Sequence, residues 1–148
     1  MQLAAALIQA YRATRYLVVE SGHRAAILAE VRVGSRSRDI DRLLDKHGAW
    51  SGVFITAWNP RSHPVERARN EMAHTLLEQE FRGRNVRFLP HLGVGPDPAW
   101  EPEHGMFALD LPLPEALELA VAFDHNAIVV IGQGQAAELV TTALMPAA

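Results

Sequence analysis

A chain of 148 residues, 49% apolar and 21% charged, has the length and balance of one ordinary globular domain, which excludes a disordered segment and leaves little room for two separate cores. The absence of cysteine excludes a disulfide framework, a thiolate metal site and a cysteine nucleophile together, and it fits a reducing, cytoplasmic setting. The formal net charge of -3 is unevenly placed: all 14 Lys and Arg residues lie at or before Arg87 with nine of the 17 carboxylates, so the two parts carry about +5 and −8.

The elements follow in chain order. Leu3, Leu7, Ile8 and Tyr11 recur at helical spacing and predict a helix over 2–12 rather than an export signal, since no positive start or cleavage region accompanies them. Tyr16 to Glu20 and Ala26 to Val33 are rich in β-branched and apolar residues, and the short Ser21-Gly22-His23 turn between them predicts an antiparallel hairpin. A helix capped by Ser35 or Ser37 follows, with Asp39 and Asp41 at its start, Lys46 and His47 at its end, and Gly48 beyond. Val53 to Trp58 is nearly all apolar and is expected as a central strand covered on both faces, stopped by Asn59-Pro60.

A long helix is expected from Val65 to Arg82, with Val65, Ala68, Met72 and Leu76 as its inward stripe, widened by Leu77 and Phe81. With Asn85 to Leu89 as the next strand, this segment predicts a βαβ unit. Leu92 to Pro102 reads as a loop, Met106 to Leu111 as a strand, and Pro114 to Phe123 as a helix with Leu117, Ala120 and Val121 inward. Ala127 to Ile131 and Ala136 to Thr142 form a closing hairpin around Gly132-Gln133-Gly134, and Met145 to Ala148 are expected to fray. The expected fold is α/β, with α+β as the alternative: one mixed sheet of about five to seven strands and three to four helices, in a single domain.

The segment richest in chemistry is Thr56-Ala57-Trp58-Asn59-Pro60-Arg61-Ser62, leading into a helix that bears Asn70. Ligands of open α/β sheets bind beyond the carboxyl ends of strands, where loops enter helices. Arg61 offers a charge and Asn59 a donor and an acceptor. The plainer alternative has Asn59 satisfying the turn and Ser62 capping the helix.

Tyr11-x-x-Thr14-x-Tyr16, the run Phe54-Ile55-Thr56-Ala57-Trp58-Asn59-Pro60-x-Ser62, and Asn70 beyond it resemble the bacterial domain of unknown function 3293 family. The likeness continues through Gly93-Val94-Gly95, Trp100 with Glu103, and Asn126-Ala127-Ile128-Val129-Val130. It supplies a pattern but no reaction. Two positions depart from it: Gly105 stands where the pattern carries a serine, and His125 where it carries a glutamine.

The seven histidines show no zinc spacing, and neither His-Glu-x-x-His nor a phosphate loop nor a Gly-x-Ser-x-Gly elbow occurs. No cofactor or metal is implied, and no apolar run reaches the roughly 18–20 residues of a membrane span. Thirteen of the 14 basic residues are arginine, which suits phosphates and carboxylates, but stacking aromatics are scarce beside them and the pI of about 6.1 disfavours nucleic acid. Two readings result. The first is a pocket for a small anionic or nucleotide-like ligand, lined by Thr56, Asn59, Arg61, Asn70, Glu103 and His125, where Glu103 or His125 would carry any proton. The second is an interaction module presenting arginines to an acidic protein or nucleic acid. Sequence alone fixes neither an enzymatic activity nor an oligomeric state.

Overall fold

The computed structural model describes residues 2–21 and 26–146. Helix α1 (Gln2–Ala13) leads into strands β1 (Arg15–Val19) and β2 (Ile27–Val31), then helix α2 (Arg38–Lys46) and strand β3 (Ser51–Thr56). After a 3₁₀ turn, Pro60–Ser62, come helix α3 (Arg67–Gly83), strands β4 (Phe88–Val94) and β5 (Glu103–Leu109), helix α4 (Leu113–Ala122), and strands β6 (Ala127–Gly132) and β7 (Glu138–Thr141). Among the described residues seven strands form one sheet in the order β2-β1-β4-β5-β3-β6-β7, which with four helices gives the α/β class expected.

Alternation along the inner strands sends side chains to two cores. Phe54, Phe107 and Val129 join Tyr16 and Val18 on one face, where Ile40, Leu43 and Leu44 of α2 cover them. Val53, Ile55, Met106, Ala108 and Ile128 fill the other face beneath Leu77 and Phe81 of α3 and Leu119 and Ala120 of α4. The helix α2 is set by its sequence: the Ser37 hydroxyl accepts the Ile40 N–H at 3.2 Å, and Gly48 takes the left-handed conformation past its end, φ 62°. Gly52 is required by packing, because a Cβ there would stand 2.0 Å from the ring of Phe107.

The pairing differs from expectation. Among the described residues every ladder contact is antiparallel, so the sheet is not mixed there. β3 and β4 point the same way, as the βαβ reading required, but β5 lies between them and pairs with both. β5 and β6 are likewise separated by β3. β3 through β6 with α3 and α4 therefore make two interleaved split βαβ units, the ferredoxin-like β-α-β-β-α-β arrangement, extended by β1 and β2 on one edge and β7 on the other. β3 is interior and buried on both faces, although β5 holds the midpoint.

Two helix faces are corrected. In α3 the buried positions are Asn70, Leu77 and Phe81, with Met72 and Leu76 exposed at 68% and 52%; the helix turns a polar residue inward and rotates the expected stripe. In α4 the buried positions are Ala116, Leu119 and Ala120, Leu117 packs at the margin, and Val121 faces outward. The expected loop from Leu92 is shorter, because β4 continues to Val94 and β5 begins at Glu103. Of the turn at Ser21-Gly22-His23, Gly22 and His23 lie outside the described residues, as do Ala147 and Ala148 of the expected fraying end.

Candidate functional site

β3 ends at Thr56, whose hydroxyl donates to the His104 carbonyl at 2.5 Å and accepts the Trp58 N–H at 2.9 Å. The first bond ties the strand end to β5, and the second starts the turn locally. The turn is strained: Asn59, Arg61 and Ser62 all hold positive φ, at 48°, 54° and 63°. Each such residue without glycine's freedom costs roughly 1–2 kcal/mol. Asparagine tolerates this region best, and Asn59 opens the series.

Asn70 holds the turn in place. Its side-chain carbonyl accepts the Asn59 backbone N–H at 2.8 Å, and its amide nitrogen donates to Asn59 Oδ1 at 2.8 Å. Asn59 Oδ1 also accepts the Val65 N–H at 3.3 Å, and Asn59 Nδ2 donates to Glu103 Oε2 at 3.0 Å. A buried chain of side chains thus runs from α3 through the turn to the first residue of β5. This explains why α3 turns Asn70 inward: the pair satisfies backbone groups that a left-handed turn leaves without partners.

Glu103 sits at the wall of a cavity of about 400 Å³ between α1, the sheet and the 95–102 loop. That volume is within the range of roughly 300–1,000 Å³ typical of small-molecule sites. Leu7, Ala10, Tyr11 and Thr14 of α1 form one wall; Tyr16, Thr56, His91 and Gly93 from the sheet form the floor. Pro96, Asp97 and Trp100 of the loop close the third side, and Ser62 brings the strained turn to the edge. Among the described residues, no lysine or arginine lines it.

The titratable groups are shifted by burial. Desolvation raises Glu103 above the usual carboxylate range, opposed by the hydrogen bonds from Asn59 and Trp100. Burial also raises the Tyr11 phenol, which Ser62 opposes and the nearby Glu103 carboxylate reinforces. Tyr16 is raised for the same leading reason. Burial lowers His91 to about 3, against a hydrogen bond to the Met106 backbone, so its imidazole is neutral at physiological pH. Nδ1 of His91 is buried and has no hydrogen-bond partner among the described residues.

The six residues singled out by sequence fall into three places. Thr56 and Glu103 line the cavity. Asn59 and Asn70 stand behind Glu103 and hold it. Arg61 and His125 do not line the cavity, a correction to the expected site. Arg61 is exposed and paired with Asp124 at 3.2 Å, because the left-handed turn carries it outward. His125 follows α4, bonded to the Ala57 backbone and pressed to about 4 by burial. Ser62 does not cap α3, whose N-cap position is Glu66 with no side-chain bond.

Residue chemistry missed Tyr11, Tyr16, His91 and Trp100. Tyr11, Tyr16 and Trp100 were marked only by the family resemblance, because helix α1 and the 95–102 loop must fold against the sheet before they meet Glu103. Gly105 is explained by His91: a Cβ there would meet His91 Cε1 at 2.3 Å and the Ile55 carbonyl at 2.6 Å. The imidazole occupies the space that a serine hydroxyl would need.

Fold and site together define an α/β protein with an antiparallel sheet, built on split βαβ units and carrying a pocket at the carboxyl end of β3. The family described as "Protein of unknown function (DUF3293)" matches residues 55–128, half of the chain, and the chain belongs to that family. The matched segment contains Thr56, Asn59, Asn70, His91, Trp100 and Glu103, whereas Tyr11 and Tyr16 precede it. No curated protein and no solved structure matches the chain. Among the described residues, no group of three potential metal ligands is assembled, and no helix is long and apolar enough to cross a membrane.

Proposed function

We propose that the chain is a small-ligand-binding domain of the bacterial cytoplasm, with its pocket enclosed by α1, the ends of β1, β3, β4 and β5, and the 95–102 loop. One observation carries the proposal: a cavity of ligand size holds a half-buried carboxyl that a buried asparagine pair positions. Protein interiors seldom retain such a group without use, since burying it costs free energy that an apolar side chain would avoid. The anionic ligand expected from sequence rested on Arg61. With that arginine paired outside the cavity and Asp97 and Glu103 in its lining, the pocket favours neutral or cationic molecules with an apolar body. The cysteine-free composition supports the cytoplasmic address.

The test is competition for space. Ala10 lines the cavity from α1, so Ala10→Trp should fill it while leaving both sheet cores untouched. Ligand-observed NMR with a library of small amphipathic fragments should find binders to the native chain that this variant no longer binds, with an unchanged circular dichroism spectrum. Fragments that bind both forms equally would place the site elsewhere and end the proposal.

A further inference from the structure

The cavity is asymmetric in its hydrogen-bonding chemistry. Glu103 receives both of its protein hydrogen bonds on one oxygen: Asn59 Nδ2 at 3.0 Å and Trp100 Nε1 at 3.4 Å both reach Oε2. Among the described residues no side chain or backbone group donates to Oε1. His91, only 3% exposed, lines the same cavity, but its unpartnered Nδ1 is buried and closed to an occupant. The walls add aromatic surface from Tyr11, Tyr16 and Trp100, whose π faces attract cations. No basic side chain of the described lining competes for that role.

We infer that the natural ligand is a small amine, bound as its ammonium, with an N–H group on Glu103 Oε1 and the apolar body along Leu7, Ala10 and Pro96. The inference rests on the cavity being the binding site, as proposed above. Charge decides against a carboxylate or phosphate ligand, because Glu103 and Asp97 would repel it. The free Glu103 oxygen decides between kinds of cation: a quaternary ammonium has no N–H to give to Oε1. Burial that costs the free Glu103 carboxylate its water is offset when a cation faces it, so site and ligand are complementary in charge.

Four probes of one chain length separate the possibilities: hexylammonium, hexanol, hexanoate and hexyltrimethylammonium, each titrated by calorimetry at neutral pH. Hexylammonium should bind at least about tenfold more tightly than hexanol, a difference of about 1.4 kcal/mol, and hexanoate should not bind. Hexyltrimethylammonium should fall below hexylammonium. Glu103→Gln should remove the preference for ammonium over alcohol, and Ala10→Trp should abolish all binding.

Equal binding of hexanol and hexylammonium, or tighter binding of hexanoate, overturns the ammonium inference and leaves the pocket standing. Hexyltrimethylammonium binding as well as hexylammonium overturns the hydrogen bond to Glu103 Oε1 and the N–H-bearing ligand inferred from it. Binding that survives Ala10→Trp, or absence of binding by all four probes, overturns the pocket reading itself together with the inference built on it.

Discussion

Asn70 shows how one polar residue can decide the placement of several others. Its amide satisfies the Asn59 backbone and side chain at once, and through them it fixes Glu103. Asn70→Ala should destabilise the chain by about 1–3 kcal/mol, because it strands buried groups in a left-handed turn. A chemical denaturation midpoint unchanged by that substitution would show that the turn holds itself. Histidines give the second prediction at this scale. His91 and His125 are both buried and hold pKa values of about 3 and about 4, below the ordinary 6.5. The unfolded chain therefore takes up protons first as pH falls, so the stability these groups contribute is complete above 6.5 and is lost progressively toward about 4 for His125 and about 3 for His91. His125→Gln should flatten the fall of the urea midpoint between pH 6.5 and 4 relative to the native chain. Parallel curves for the two proteins would show that His125 titrates normally in the fold.

Among the elements, nearly all were legible in the sequence, because each strand and helix carries its own periodicity and stop signal. Ser37 and Gly48 bound α2 as expected, and Asn59-Pro60 ends β3. What was not legible was partnership. β3, α3 and β4 read as a simple βαβ unit, yet nothing in their residues announces that β5 will enter between the two strands. The inward face of α3 was misread for a related reason: hydrophobic pattern favoured Met72 and Leu76, whereas the position of Asn70 is set by the distant Asn59. Adjacent leucines in α3 test the corrected face. Leu77 is fully buried and Leu76 is 52% exposed. Leu77→Ala should cost about 2–5 kcal/mol, and Leu76→Ala no more than about 0.5 kcal/mol. Equal losses in thermal or chemical denaturation would restore the original stripe.

The candidate site was half legible from sequence for the same physical reason, now on the scale of the whole molecule. Thr56 and Asn59 belong to one local run, and Glu103 is brought to it by β5; the cavity, however, exists only because α1 lies over the sheet. Charge asymmetry is resolved at this scale too. Arg61–Asp124, Arg67–Glu101 and Arg87–Asp110 join the basic early part to the acidic late part at 3.2, 3.4 and 3.5 Å, and Arg82 and Arg84 pair with Glu78 and Glu80 along α3. These pairs are exposed, so each contributes no more than about 1 kcal/mol; their larger effect is to leave little uncompensated positive field for a polyanion. The chain should therefore elute from heparin at low salt, below physiological ionic strength, and Arg82→Ala/Arg84→Ala should not change that position. Among the described residues Arg12, Arg32, Arg36, Arg38, Lys46 and Arg69 have no ion pair, and Arg32, Arg36 and Arg38 are the ones that cluster in the chain, so a basic face would be centred there. Strong retention that Arg36→Ala/Arg38→Ala removes would mean that internal compensation is incomplete and that the arginines of this region serve an acidic partner.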